Sequence, residues 1–185
     1  MPASRFQGSA ASEQRRLFAG PLLPASLLRP GLLPVLPYPA GLRFQAVHAD
    51  DLADAYVRAV VGDARGAFNV AADPVIDGPV LADLFDARPL PIPVALVRLG
   101  LAAGWRARLL PADPALLDLV LHLPLLDTTR IRRQLGWEPR CSGVEALSEM
   151  LRSLRVGAGD GTAPLAPDGP LGRVAEAAHG VGRRP

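Results

Sequence analysis

Hydrophobic positions recur at helical spacing in several windows and alternate in few, and the breaks between them are marked by Gly and Pro. Ser9–Phe18 reads as a short helix stopped by Gly20-Pro21, after an irregular start over residues 1–8. Between 21 and 41 stand Pro21, Pro24, Pro30, Pro34, Pro37 and Pro39 among leucines. Each proline removes a donor and clashes with the preceding turn, so no long helix fits. This segment is expected as apolar loop with an edge strand at 32–36. Residues 42–47 suit a strand. A helix then opens at Asp50 or Asp51 and runs to about Val61, with Leu52, Ala53, Tyr56, Val57 and Val60 at helical spacing. Asp51 is expected as its N-terminal cap, accepting from the first free N–H groups. Gly66–Ala71 (GAFNVA) reads as the next strand, completing a strand–helix–strand unit over 42–71.

Further along, 77–86 predicts a short helix with Pro79 in its first turn, and 89–93 an extended run. Helices are expected over 94–109, from Asp113-Pro114 to about His122, and from Thr128 or Thr129 to Leu135, where Gly136 can turn left-handed. Ser142-x-x-Glu145 is a capping box, and the helix it opens shows Val144, Leu147, Met150, Leu151 and Leu154 on one face. Residues 156–185 hold seven glycines and four prolines with hardly an apolar cluster, and are expected to be a disordered tail. The organisation expected is thus 1–8 irregular, 9–155 one domain, and 156–185 tail.

Composition narrows the chemistry. Apolar residues make up 49% of the 185 positions and charged residues 21%, enough to bury a core. All 20 basic residues are arginine, which removes every mechanism that needs a lysine amine. One cysteine, Cys141, excludes an intrachain disulfide, and His48, His122 and His179 are too scattered to suggest a metal site. The net charge of +2 comes from interspersed signs, and only Arg130, Arg132 and Arg133 cluster. No nucleic-acid partner is therefore expected. No apolar run approaches the roughly 20 residues of a membrane span, and the first residues lack a signal peptide's apolar stretch. A cytoplasmic protein with no membrane partner is the expectation.

Three segments resemble the C-terminal part of the NAD-dependent epimerase/dehydratases, the extended short-chain dehydrogenase/reductase (SDR) family. Phe44-Gln-Ala-Val-His-Ala-Asp-Asp-Leu-Ala-Asp-Ala-Tyr56 is similar to the family's F-x-H-V-x-D-x-A signature, and Gly66-Ala-Phe-Asn-Val-Ala71 to its G-x-Y/F-N-V-A strand. Leu126-Asp-Thr-Thr-Arg-Ile-Arg-Arg-Gln-Leu-Gly-Trp-Glu-Pro-Arg140 is similar to D-x-x-K/R-x-x-x-x-L-G-W-x-P. The resemblance implies an α/β fold that is a partial Rossmann-type C-terminal portion, with short strands and a mainly helical substrate lobe. The family's complete enzymes also need a Gly-rich turn that lets the backbone approach a pyrophosphate, and a tyrosine four residues before a lysine. Neither is encoded here: Tyr38 is followed four on by Leu42, and Tyr56 by Val60.

The function expected is therefore a truncated SDR-type oxidoreductase, inactive alone. Such a chain binds no cofactor itself, NAD or NADP and a small-molecule substrate being implied only for the complete enzyme. The alternative is a non-enzymatic module derived from the same fold, self-associating through apolar segments 21–36 and 94–126. No catalytic, cofactor-binding or metal-ligating residue is assigned. Gln45, His48 and Arg43 are the substrate-lobe candidates. His48 reads either as a general base oriented by a carboxylate or as a histidine pinning the strand–helix turn, and the resemblance favours the second. Arg43 alternates with Phe44 along the strand, but aligning on the histidine puts Phe44 where the family's diphosphate-binding arginine stands. Asp51 and Ser142 are expected as structural caps.

Overall fold

The computed structural model describes residues 29–107, 110 and 113–156. The expected helix at Ser9–Phe18, the irregular start and all but the first residue of the expected tail lie outside them. The described chain is mixed α/β, with four short strands and six helices. In chain order these are β1 (Val35–Pro39), β2 (Arg43–Ala46), α1 (Ala49–Val61), β3 (Ala72–Asp77), α2 (Gly78–Leu84), β4 (Arg88–Ile92), α3 (Val94–Arg106), α4 (Pro114–His122), α5 (Thr129–Leu135) and α6 (Gly143–Val156). None of these helices is long and apolar enough to cross a membrane.

The strands form two separate pairs. β1 and β4 run parallel, Val35 opposite Arg88 and Pro39 opposite Ile92. Two strands this rich in proline can pair because of where the prolines fall. Along an extended chain, successive N–H and C=O groups point to alternate edges. Arg88 N donates to Pro34 O at 3.0 Å and Ala40 N to Ile92 O at 2.9 Å, so even-numbered residues face the partner on both strands. Pro37, Pro39, Pro89 and Pro91 then all put their missing donors on the outer edges. The strand expected at 32–36 is displaced to 35–39 by this pairing.

β2 and β3 are antiparallel, Phe44 opposite Ile76 and Ala46 opposite Ala72. β3 spends four residues where β2 spends two, and Pro74 lies in the excess, where no ladder donor is required. The strand expected at Gly66–Ala71 is not observed. That segment lies in no sheet, and pairing begins only at Ala72. Strand identity requires a neighbour as well as propensity, and the carbonyls of Arg65 and Ala67 are instead taken by the Arg130 guanidinium, at 2.9 and 3.1 Å. The unit expected over 42–71 therefore closes at β3, antiparallel to β2.

Helix limits follow local chemistry. Asp77 caps α2 by accepting from Val80 N, and Asp113 caps α4 by accepting from Ala115 N. Gly136 ends α5 with φ +58°, the left-handed value a glycine adopts without strain. Tyr38 lies so close over Gly78 that a methyl group there would overlap its ring. The cap of α1 corrects the expectation. His48 occupies it, its Nδ1 accepting from Asp50 N at 3.2 Å, while Asp51 lies inside the first turn and turns its carboxylate elsewhere.

The core gathers distant segments: Ala55 of α1, Ile131 of α5 and Trp137 are buried together, with Val47, Phe68, Val70 and Leu135 against them. α6 lies over β2 and β3, and α3 packs on α4. Trp137 is fully buried and its indole N–H donates to Asp51 O at 2.9 Å. Trp137→Ala should cost about 3–5 kcal/mol, the usual penalty for emptying an aromatic core site. Urea unfolding followed by far-UV circular dichroism measures this, with a clear drop in midpoint expected.

Candidate functional site

The expected site residues start from β2 and the turn after it. Arg43 is exposed at the beginning of β2, opposite Asp77 in the ladder. Gln45, on the same face of the strand, is committed to structure. Its Oε1 accepts from Leu126 N at 2.7 Å and its Nε2 donates to Leu126 O at 3.4 Å, so the amide imitates a strand neighbour for the segment between α4 and α5. His48 is only 5% exposed. With Nδ1 accepting the Asp50 N–H, the neutral ring carries its proton on Nε2, which donates to Glu149 Oε2 at 3.2 Å. Both ring nitrogens are thus engaged in holding the β2–α1 turn against α6. The structure does not bring Arg43, Gln45 and His48 to one open cleft.

The strongest polar arrangement is built on Asp51. Its side chain is almost fully buried, and its Oδ2 accepts from the backbone N–H of Arg140 at 3.1 Å and of Cys141 at 3.0 Å. Arg140 Nε adds a charged donor to Oδ1 at 3.2 Å. A carboxylate out of water needs such donors, because the isolated charge is costly to bury. What the sequence pattern presented as a cap is a clamp on a turn roughly ninety residues away, and no local signal distinguishes the two roles.

Neighbouring carboxylates are held in the ionised form. Ser142 N donates to Glu145 Oε2 at 2.7 Å, and Ser142 Oγ accepts from Glu145 N at 3.2 Å, the reciprocal pair of a capping box. The Ser142 N–H and then its hydroxyl hold the Glu145 carboxyl below its usual range. At the start of α5, Thr129 does the same to Asp127, through its hydroxyl first and its N–H second. Lowered carboxyls stabilise the fold while ionised, so both contributions are lost only as pH falls below the ordinary carboxylate range. Cys141 shifts the other way. Partial burial first, then the charges of Asp51, Glu145 and Glu149, push its thiol up and keep it protonated.

One apolar cleft of about 230 Å³ opens beside the core, between α1 and the 66–70 segment. Leu52, Ala55, Tyr56, Phe68, Val70 and Ile131 line it, and no carboxylate, histidine or cysteine is among its lining residues. The Arg130 guanidinium stacks 4.8 Å from the centre of the Phe68 ring. Among the described residues, no group of three His, Cys, Asp or Glu side chains could hold a metal ion. Arg130, Arg140 and Glu149 are the residues whose roles went unassigned in the sequence. The family-like spacing of residues 126–140 marked the first two, and nothing marked Glu149.

No protein-family model, curated protein or solved structure significantly matches the chain.

Removing the Asp51 carboxylate strands two backbone donors, so Asp51→Ala should destabilise by about 3 kcal/mol, the order expected for orphaned buried polar groups. Thermal denaturation at neutral pH measures this, and Ser142→Ala should cost less, about 1 kcal/mol. Iodoacetamide should alkylate Cys141 several-fold more slowly in the native chain than in urea at mildly alkaline pH, as read by mass spectrometry.

Proposed function

We propose that this chain corresponds to the C-terminal, substrate-lobe part of an NAD-dependent epimerase/dehydratase-like oxidoreductase, and that alone it is catalytically inactive. One observation carries the reading: the three segments on which the resemblance rests interlock. Asp51, from the first, accepts Arg140 and Cys141 N–H with its carboxylate and the Trp137 indole N–H with its carbonyl. Arg58, about two turns further along α1, donates to Gly136 O at 2.8 Å. Asn69, in the second segment, donates to Asp127 O of the third at 3.1 Å, and Arg130 returns donors to Arg65 and Ala67. Chance likenesses at three places have no reason to be mutual partners.

The same contacts explain why these residues are not catalytic here. Asp51, Asn69 and Arg130 are each used to hold distant stretches of backbone together. The proton relay that such enzymes need has no lysine to support it, because the chain contains none.

A second reading, as an associating module without chemistry, draws on one feature. α3 has no buried residue, and Leu96, Leu99, Leu119 and Leu123 are each at least half exposed on α3 and around α4. Apolar area of this kind favours a partner.

Titration of the purified 185-residue chain with NADH and NADPH, followed by nicotinamide fluorescence, separates an incomplete enzyme from a complete one. No saturable response is expected at micromolar to millimolar nucleotide. Saturable micromolar binding would overturn the reading, as would turnover of any sugar nucleotide or alcohol.

A further inference from the structure

His48 does two things with its two ring nitrogens, and only one of them survives a change of charge. Nδ1 is an acceptor: it takes the Asp50 N–H at 3.2 Å and so caps α1. Nε2 carries the ring proton and donates to Glu149 Oε2 at 3.2 Å. An imidazolium has a proton on both nitrogens and no acceptor left. A charged His48 therefore keeps its bond to Glu149 and loses the cap, because Nδ1–H and the Asp50 N–H then meet as two donors.

The surroundings can hold that charge. The Asp50 carboxylate stands in the same first turn, its Oδ2 3.9 Å from Nδ1. That is too long for a hydrogen bond, but the side chain is 39% exposed and has room to close the gap. From α6, Glu149 places Oε2 on the ring, while its Oε1 is buried without a hydrogen-bond partner among the described residues. A buried carboxylate short of donors is costly, and a positive charge beside it offsets the cost. Among the described residues, His48 is the one ion-pair partner of either Asp50 or Glu149. The other charged groups nearby are engaged or turned to water. Asp51 of α1 is bound by Arg140, and Glu145 of α6 by Ser142. Cys141, in the turn before α6, stays a neutral thiol. Arg152, further along α6, is exposed, as is Arg43 at the start of β2. On β3, Asp73 pairs with Arg132 and Asp77 caps α2. Two effects favour the uncharged ring: its burial, and the positive end of the α1 dipole. Each charge state of the one ring thus has its own supporting contacts.

We infer that His48 is a proton-operated latch on the first turn of α1. Uncharged, it caps the helix through Nδ1. Charged, it releases the Asp50 N–H and is held between the carboxylates of Asp50 and Glu149. The change is local. Leu52 N still donates to His48 O at 3.0 Å and the Asp51 clamp is untouched, so α1 persists and one backbone donor is set free. The tie from the β2–α1 turn to α6 is kept in both states, since it runs through Nε2. These contacts lie within the chain, and the inference is independent of the epimerase reading.

Nuclear magnetic resonance of the full chain labelled with 15N, from about pH 8 to about pH 5, where histidines commonly titrate, tests it. At the alkaline end Nε2 should carry the proton and Nδ1 none. As pH falls, Nδ1 should gain its proton and the Asp50 amide proton should move upfield with the same midpoint, while the Leu52 amide holds still. His48→Asn sets a side-chain oxygen near the place of Nδ1, so it should cap without titrating and abolish the Asp50 amide response in this range. Asp50→Asn keeps the backbone donor, removes the receiving carboxylate, and should move the His48 titration to lower pH. A proton on Nδ1 at the alkaline end overturns the inference, as does an Asp50 amide that ignores the titration of the ring. So does a ring that gains no second proton before the chain unfolds, or an amide response that survives His48→Asn. An unmoved midpoint in Asp50→Asn removes Asp50 as the receiving group and overturns the charged state drawn here. The ring and amide signals of the unaltered chain decide the matter even where a variant fails to fold.

Discussion

A single buried carboxylate organises the molecule. Asp51 stands in the first turn of α1, where the helix dipole already favours negative charge, and it recruits the backbone N–H groups of Arg140 and Cys141 and the guanidinium of Arg140. Its own carbonyl receives the Trp137 indole. Burying an ion costs several kcal/mol unless its lone pairs are filled, and here they are filled by groups that would otherwise be orphaned in the turn before α6. The exchange joins the start of α1 to the entry of α6, and Ile131 of α5 is buried in the core beside them. His48 repeats the logic one turn earlier, with Glu149 of α6 as its partner. Two polar contacts therefore fix the angle between α1 and α6, and Trp137 fills what they enclose.

What the sequence made legible is what depends on near neighbours. The α2 and α4 starts were readable from Asp77 and Asp113, because an aspartate before a first-turn proline serves the same free N–H groups wherever it occurs. The capping box at Ser142 and the turn at Gly136 belong to the same class. Choices between equivalent local chemistries were not legible. His48 and Asp51 can both cap a helix, and the decision between them lies in residues 140, 141 and 149, which no local window contains. Gln45 is a similar case: it looks like a group free for a ligand until the segment before α5 arrives to pair with it.

The strand that did not form belongs to a third class. Gly66–Ala71 has the propensity and the alternation of a strand, and Phe68 and Val70 face inward to the cleft, but the segment begins in a bend at Gly66, φ +88°, and joins no sheet. Only the neighbour is missing. β propensity measures fit to a paired, half-buried surface, and it carries no information about which chain supplies the other half. The expected strand is not observed, because propensity and alternation are silent about the partner.

That silence bears on how the candidate site should be understood. Arg130 spends its whole guanidinium on sealing one edge of this segment, by two carbonyls and a stack on Phe68, and this keeps that edge from any competing strand. Free polar backbone on the other edge is a standing cost that water meets only while the strand remains open. Arg130, itself exposed, thereby protects the edge of the segment that faces α5, beside the apolar cleft. Residues of the 126–140 segment are the scaffold that holds this edge in place: Arg130 takes its carbonyls, and Asp127 O receives the Asn69 amide.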